Sequence, residues 1–260
     1  MNIVVCVKQV PDTWSEKKLD PSDNTLDRGA TDPVMNEMDE YAVEEALRLQ
    51  EASGGDVTVL CMGPESAAET VRKALSMGAD KAVHLTDEAL HGSCAVQTAR
   101  ALAKVIGTVD SVDLILAGNE ASDGRIAAVP AMVADVLGLP ALTHAREITV
   151  DGSTVTVRRE TDDGATLLTA ELPALVSVGE KINEPRYPSF KGIMAAKKKP
   201  VVTLGLADAG IDASEVGLAA ALTSVTSSQP KPPKSAGEKV ADEGDGGQKI
   251  AAYLVSQKLI

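Results

Sequence analysis

Three short stretches that close apolar runs carry residue types from which a small-molecule site could be built: Cys6-Val7-Lys8, Met62-Gly63-Pro64 and the longer Gly118 to Val129, GNEASDGRIAAV. In the last of these, Asp123-Gly124 is a turn-forming pair just ahead of a helical pattern. The N–H groups of Ala127, Ala128 and Val129, placed at a helix start, could hold a phosphate without any basic side chain. Glycine after a strand is also an ordinary structural turn, so these stretches alone leave both readings open. No GxGxxG, Walker GxxxxGK(S/T) or SGGxD loop is present, nor a GxSxG nucleophile elbow, so a bound nucleotide would be structural and no catalytic side chain is assigned. His84, His91 and His144 are scattered, with neither HExxH nor Cys/His ligand spacing, which argues against a metal site. Cys6, Cys61 and Cys94 have no CxxC spacing, and buried reduced thiols are the favoured reading.

The elements that must position these stretches follow from the hydrophobic period. Asn2 to Val7 is apolar without alternation, as in a strand covered on both faces. Met38 to Gln50 places Met38, Ala42, Ala46 and Leu49 at helical spacing, ended by Gly54-Gly55. Strands are expected at Asp56–Met62, Lys81–Leu85 and Asp113–Ala117, and helices at Glu65–Met77, Ser93–Ile106 and Ala127–Leu137. Strand alternating with helix predicts a Rossmann-like, doubly wound parallel α/β sheet of the adenine-nucleotide-binding type. In such sheets ligands bind outside the carboxyl ends of the strands, where strand order reverses. From Ile148 the grammar changes to an antiparallel hairpin, 148–172, with Asp162-Asp163-Gly164 at its turn, followed by a buried strand at Ala174–Val178. Residues 1–200 are expected as the α/β domain and 201–260 as a C-terminal arm that packs on a partner subunit. Ser227 to Gly247 reads as an extended segment, and Gln248 to Lys258 as a last helix with Ala251, Leu254 and Val255 on one side.

Composition narrows the function. With 25 Lys plus Arg against 38 Asp plus Glu, a net charge of -13 argues against nucleic-acid or anionic-membrane binding. Met1 leads straight into a strand pattern, and no apolar span is long enough to cross a bilayer, so a cytoplasmic protein without membrane insertion is expected. Aromatic residues are 2% of the chain, too few to enclose a flavin alone, so a large planar cofactor would be shared with a second chain.

The stretch 183–200, NEPRYPSFKGIMAAKKKP, holds the only Phe. Pro185, Pro188 and Gly192 disfavour a regular helix, so Tyr187, Phe190, Ile193 and Met194 are expected on an irregular exposed loop that seeks a partner. The plain alternative is a linker whose aromatics fold back on their own domain.

VVCVKQVPDT, Asn36 with DEYAVEEALRL, ALSMGADKAVHL, VDLILAG, VRRETDDG and above all NEPRYPSFKGIMAAKKKP together resemble the β subunit of electron-transfer flavoproteins, from Met1 to about Pro200. The resemblance implies a heterodimer with an α subunit that carries most of the FAD contacts, and AMP buried in the β subunit. It implies electrons taken from flavin dehydrogenases such as acyl-CoA dehydrogenases, as in fatty acid β-oxidation, and passed to the electron-transfer flavoprotein quinone oxidoreductase at the membrane. By resemblance the AMP pocket falls on Cys6, Asn36, Met62, Gly63, Ala121, Asp123 and the backbone of Ala127, Ala128 and Val129. Phe190 takes the place of the family's apolar anchor for the dehydrogenase, surrounded by Tyr187, Ile193 and Met194, with Lys197 to Lys199 at its base. Glu160 matches a carboxylate that pairs with the mobile flavin domain; a solvated hairpin charge is the alternative.

There are departures from the family. The loop Asp123 to Pro130 lacks the Asp-Thr and Gln of DGDTAQVGP, where bifurcating relatives hold a second FAD instead of AMP, and Met38 replaces an aromatic near the flavin. A bifurcating subunit with its own FAD, a stand-alone nucleotide-binding stress-type module, and an enzyme acting on the nucleotide are the alternative readings.

Overall fold

The computed structural model describes residues 1–233, 237 and 239–260. The apolar runs form strands and the stretches of helical spacing form helices, in the order β1 Ile3–Val7, β2 Gln9–Pro11, β3 Pro33–Met35, α1 Glu37–Ser53, β4 Val57–Met62, α2 Ala68–Met77, β5 Lys81–Leu85, α3 Ala95–Ile106, β6 Leu114–Gly118 and α4 Val129–Leu137. There follow β7 Ala141–Asp151, β8 Thr154–Thr161, β9 Gly164–Glu171, β10 Ala174–Val178, α5 Phe190–Ala196, β11 Val201–Leu204 and α6 Gly246–Ser256.

One nine-stranded sheet has the order β11-β5-β4-β1-β6-β10-β7-β8-β9, and β2 and β3 make a separate two-stranded sheet. Pairing is parallel from β11 across to β7, while β8 and β9 are antiparallel. This is the doubly wound α/β architecture expected from the alternating pattern. Side chains of β1 divide by the strand period between two cores: Ile3, Val5 and Val7 pack with α1 and α2, Val4 with α3 and α4. Burial on both faces is why the run IVVCV shows no polar alternation. From β1 the chain winds out through β4 and β5, then returns to place β6 on the other side of β1. The strand order therefore reverses at β1 and β6, and the loops leaving their carboxyl ends meet there.

Three expectations are corrected. The strand before the hairpin starts at Ala141, not Ile148; its first part pairs parallel with β10 and its later part antiparallel with β8. A left-handed residue, His144 at φ 61, and register shifts on both sides hide the period there. The loop at 183–200 contains a helix, α5, capped by Ser189, whose Oγ accepts the Gly192 N–H at 3.0 Å. Pro188 lies before the cap rather than inside the helix, where it costs nothing. Residues beyond Pro200 do not all leave the domain: the β-branched run at Val201 pairs with β5, and Leu206, Ala209, Ile211 and Val216 are buried in the core with α3, so the compact unit runs to Val225.

The second unit, Thr226–Ile260, contains α6, which has no buried residue; Ile250, Tyr253 and Val255 are exposed on it. Of the segment expected to be extended, 227–247, positions 234–236 and 238 lie outside the described residues.

Candidate functional site

The carboxyl ends of β1 and β6, the start of α1 and the loop between β6 and α4 enclose a cavity of about 150 Å³. Its floor is apolar, with Cys6, Met62, Leu102 and Ala117; its rim is the loop 119–127. Of the residues expected at a nucleotide pocket, Cys6, Asn36, Met62, Ala121, Asp123, Ala127 and Val129 line it. Gly63 and Ala128 are not brought to its wall: Gly63 donates its N–H to Leu85 O at 3.0 Å, and Ala128 caps α4. The helix begins at Val129, later than the pattern suggested, because Ala127 sits in the left-handed region at φ 52. Arg125 does so as well, at φ 49, so two non-glycine residues hold a costly conformation beside the cavity. Pro130 has no N–H, so Val129 and Ala131 are the donors of the first turn of α4.

Asn36 ties the cavity together rather than pointing a free amide into it. Its Nδ2 donates to Glu120 O at 2.9 Å, its Oδ1 accepts from Ser122 N–H at 3.1 Å, and its own N–H bonds Lys8 O at 2.9 Å. At Gly118 the backbone passes so close to α1 that a Cβ would lie 2.4 Å from Asp39 Oδ1 and 2.7 Å from Met38 Cβ. Only glycine fits, and the approach lets Asp39 sit under the end of β6.

Two carboxylates in the cavity wall have opposite electrostatics. Burial raises Asp39 to about 7, and hydrogen bonds from Asn36 and from Lys8 N–H, at 2.7 Å, pull only part of the way back. Burial acts the same way on Asp123, whose side chain is 2% exposed. There, Lys8 Nζ at 2.8 Å and Arg28 Nη2 at 2.8 Å win and hold the carboxyl below its usual range. Burial also pushes the Cys6 and Cys61 thiols up to about 12, which makes both poor nucleophiles. Asn119 Oδ1, in the cavity wall, and Ser122 Oγ, in the same loop, are buried and have no partner among the described residues. Among the described residues no three His, Cys, Asp or Glu side chains are grouped as a metal would need, and no helix is long and apolar enough to cross a membrane.

A second feature lies far from the cavity in sequence. On α5, Phe190, Ile193 and Met194 fall at helical spacing on one outward face, Phe190 being 80% exposed, and Tyr187 just before the helix is 96% exposed. They are surface residues that do not fold back into the domain. Glu160, on β8, is bonded by Arg146 Nε at 3.1 Å and by Arg158 Nη1, and these partners lower its pKa.

Residues 23–209 match the electron transfer flavoprotein domain family. Over its full length the chain is 58% identical to the electron transfer flavoprotein subunit beta of Mycobacterium bovis, of which it covers 99%. It is 59% identical to that of Mycobacterium leprae, with the same coverage. The chain belongs to the electron transfer flavoprotein β-subunit family. At 37% identity, covering 99% of this chain and 97% of the other, it also matches the caffeyl-CoA reductase-Etf complex subunit CarD of Acetobacterium woodii. An electron transfer flavoprotein β subunit is part of an electron carrier, associated with flavin and with an α subunit.

Within this β subunit, reading the sequence singled out neither Asp39, which lines the cavity, nor Arg28, which pairs with Asp123 in its wall. Arg28 lies in a polar excursion between β2 and β3 with no local period, and only the fold carries it to Asp123. Asp39 shares the helical pattern of α1 and reads as a solvent-facing charge until Gly118 packs over it.

Proposed function

We propose that this β subunit binds AMP as a structural ligand in the cavity outside β1 and β6, and that α5 docks flavin dehydrogenases such as acyl-CoA dehydrogenases. The donor set fits an adenine nucleotide. The apolar floor suits a base, the unpartnered Asn119 Oδ1 is an acceptor for a ring amino group, and the first turn of α4 offers N–H groups to a phosphate. With Asp123 neutralised by Lys8 and Arg28, Glu120 facing Arg125 Nη1 at 3.6 Å and Asp39 holding its proton up to about pH 7, the lining carboxylates leave little bare negative charge to oppose an anion. FAD, held mainly by the α subunit and completed at the subunit interface, would supply the redox chemistry; electrons would leave to a membrane quinone oxidoreductase. The second unit, with its uncovered apolar helix α6, would pack on the α subunit. Glu160 would reach the mobile flavin domain by exchanging Arg146 or Arg158 for a partner cation.

The observation that carries the docking role is the outward face of α5 with the single Phe of the chain at its head. Replacing Phe190 by Ala in the heterodimer tests it: reduction by an acyl-CoA dehydrogenase should fall while FAD content stays the same. A normal rate would reject the assignment. Ligand extraction tests the pocket. One AMP and one FAD per heterodimer agree with the proposal, whereas two FAD and no AMP would mean a second flavin in this cavity.

A further inference from the structure

We propose that α5 is held in a preset orientation by a clamp at each end, and that Glu44 and Lys199 are the positioning residues of this docking helix. The inference rests on reading Phe190 as the docking anchor. A helix of seven residues is far too short to be stable by itself, so something outside it must hold the outward face in place.

At the N-terminal end, Arg186 lies across α1. Its Nε and Nη2 donate to the two oxygens of Glu44 at 2.7 and 3.0 Å, a forked contact, and its backbone N–H adds a third bond to Glu44 at 3.1 Å. The remaining Nη1 reaches Glu51 at 2.6 Å. Glu44 is buried, so this contact is not an exposed ion pair of small worth. Asn183 fastens the chain further back, donating to Tyr41 O and Glu45 Oε2, both at 3.0 Å.

At the C-terminal end, α2 and α5 exchange cationic caps. Lys199 Nζ bonds Leu75 O in the last turn of α2 and Gly78 O and Ala79 O just past its end, at 3.0, 2.9 and 2.6 Å, where the helix carries its partial negative charge. Arg72, from α2, sends Nη1 back to Ala196 O at 2.7 Å and Lys199 O at 3.2 Å. Between the clamps, Gly192 lies against α2 so closely that a Cβ would be 2.5 Å from Ser76 O. Lys197 and Lys198 are exposed, so the run of three lysines is not one basic patch: its last member is turned inward.

Each clamp removes freedom that a partner would otherwise have to remove on docking, which is a gain in affinity without a contact to the partner. The test uses the α/β heterodimer with an acyl-CoA dehydrogenase as donor, in three variants: Glu44→Ala, Lys199→Met and Phe190→Ala. Alanine suits the middle of α1, and the half-buried Arg186 can turn to water, so Glu44→Ala folds. For Glu44→Ala and Lys199→Met, amide exchange at Gly192 and Ile193 should quicken and KM for the carrier rise about tenfold, with kcat at saturation and FAD content kept. Lys199→Arg should restore KM. Unchanged exchange in both variants would overturn the clamp, and quicker exchange with unchanged KM would overturn its part in docking. An unaffected Phe190→Ala would instead reject the anchor itself, whatever the exchange shows.

Discussion

In the cavity outside β1 and β6 the buried carboxylates are answered from within the chain, Asp123 by Lys8 and Arg28, Asp39 by Asn36 and the Lys8 N–H. On α5 and just before it the largest side chains, Phe190 and Tyr187, are turned to solvent, and the charged groups nearby, Arg186 and Lys199, are spent on α1 and α2 instead. The two regions share a backbone plan, a strand or helix end with a tight turn, but invert its use. In the cavity polar groups are internal and space is left for a ligand. On α5 polar groups fix the helix and the apolar groups are left for a partner. On the proposed reading, a single domain keeps a structural ligand site apart from a docking site.

Substitutions in one region should leave the other unmoved, which gives four ways to test the contrast. The largest effect belongs to Asp39. With its carboxyl raised to about 7 in the folded chain, it keeps a proton that the unfolded chain gives up near pH 4, so the folded state binds more protons between those values and stability falls as pH rises through the window. Asp39→Asn should remove up to about 4 kcal/mol of that slope. Denaturant midpoints taken from pH 4 to pH 7 for both proteins check this; parallel curves would reject it. Next is Gly118→Ala, whose Cβ meets Asp39 and the Met38 backbone. It should cost about 3 kcal/mol by overpacking and loosen AMP, with the response to dehydrogenase kept in whatever folds. Phe190→Ala should reverse that pattern, losing about 2 kcal/mol in docking, read as kcat/KM, with the melting temperature unchanged. The smallest is Asp123→Asn. Lys8 and Arg28 are about half exposed and can rehydrate, so the expected cost is about 1 kcal/mol, seen as AMP lost more readily in dialysis.

Much of this was written in local pattern. The strands β1, β4, β5, β6 and β10 and the helices between them follow from runs and periods, because burial on both faces or on one stripe leaves its mark residue by residue. Seven of the nine residues expected at the nucleotide pocket line one cavity, since strand ends of a doubly wound sheet converge by rule. The parts that were illegible are of another kind. The helix in NEPRYPSFKGIMAAKKKP was hidden by Pro185, Pro188 and Gly192, each a helix breaker in general and harmless at its actual place. Val201–Leu204 looked like the start of an arm because nothing in those residues names β5 as their neighbour.

The sequence by itself determined the alternation of strands and helices and the family to which the chain belongs. These depend on residue type and spacing along the chain. Tertiary structure alone decided that Arg28 meets Asp123, that Asp39 lies beneath Gly118, and that Lys199 turns into α2 while Lys197 and Lys198 face water. Those are contacts between residues far apart in sequence, and the energy of a charge depends on what the fold brings beside it.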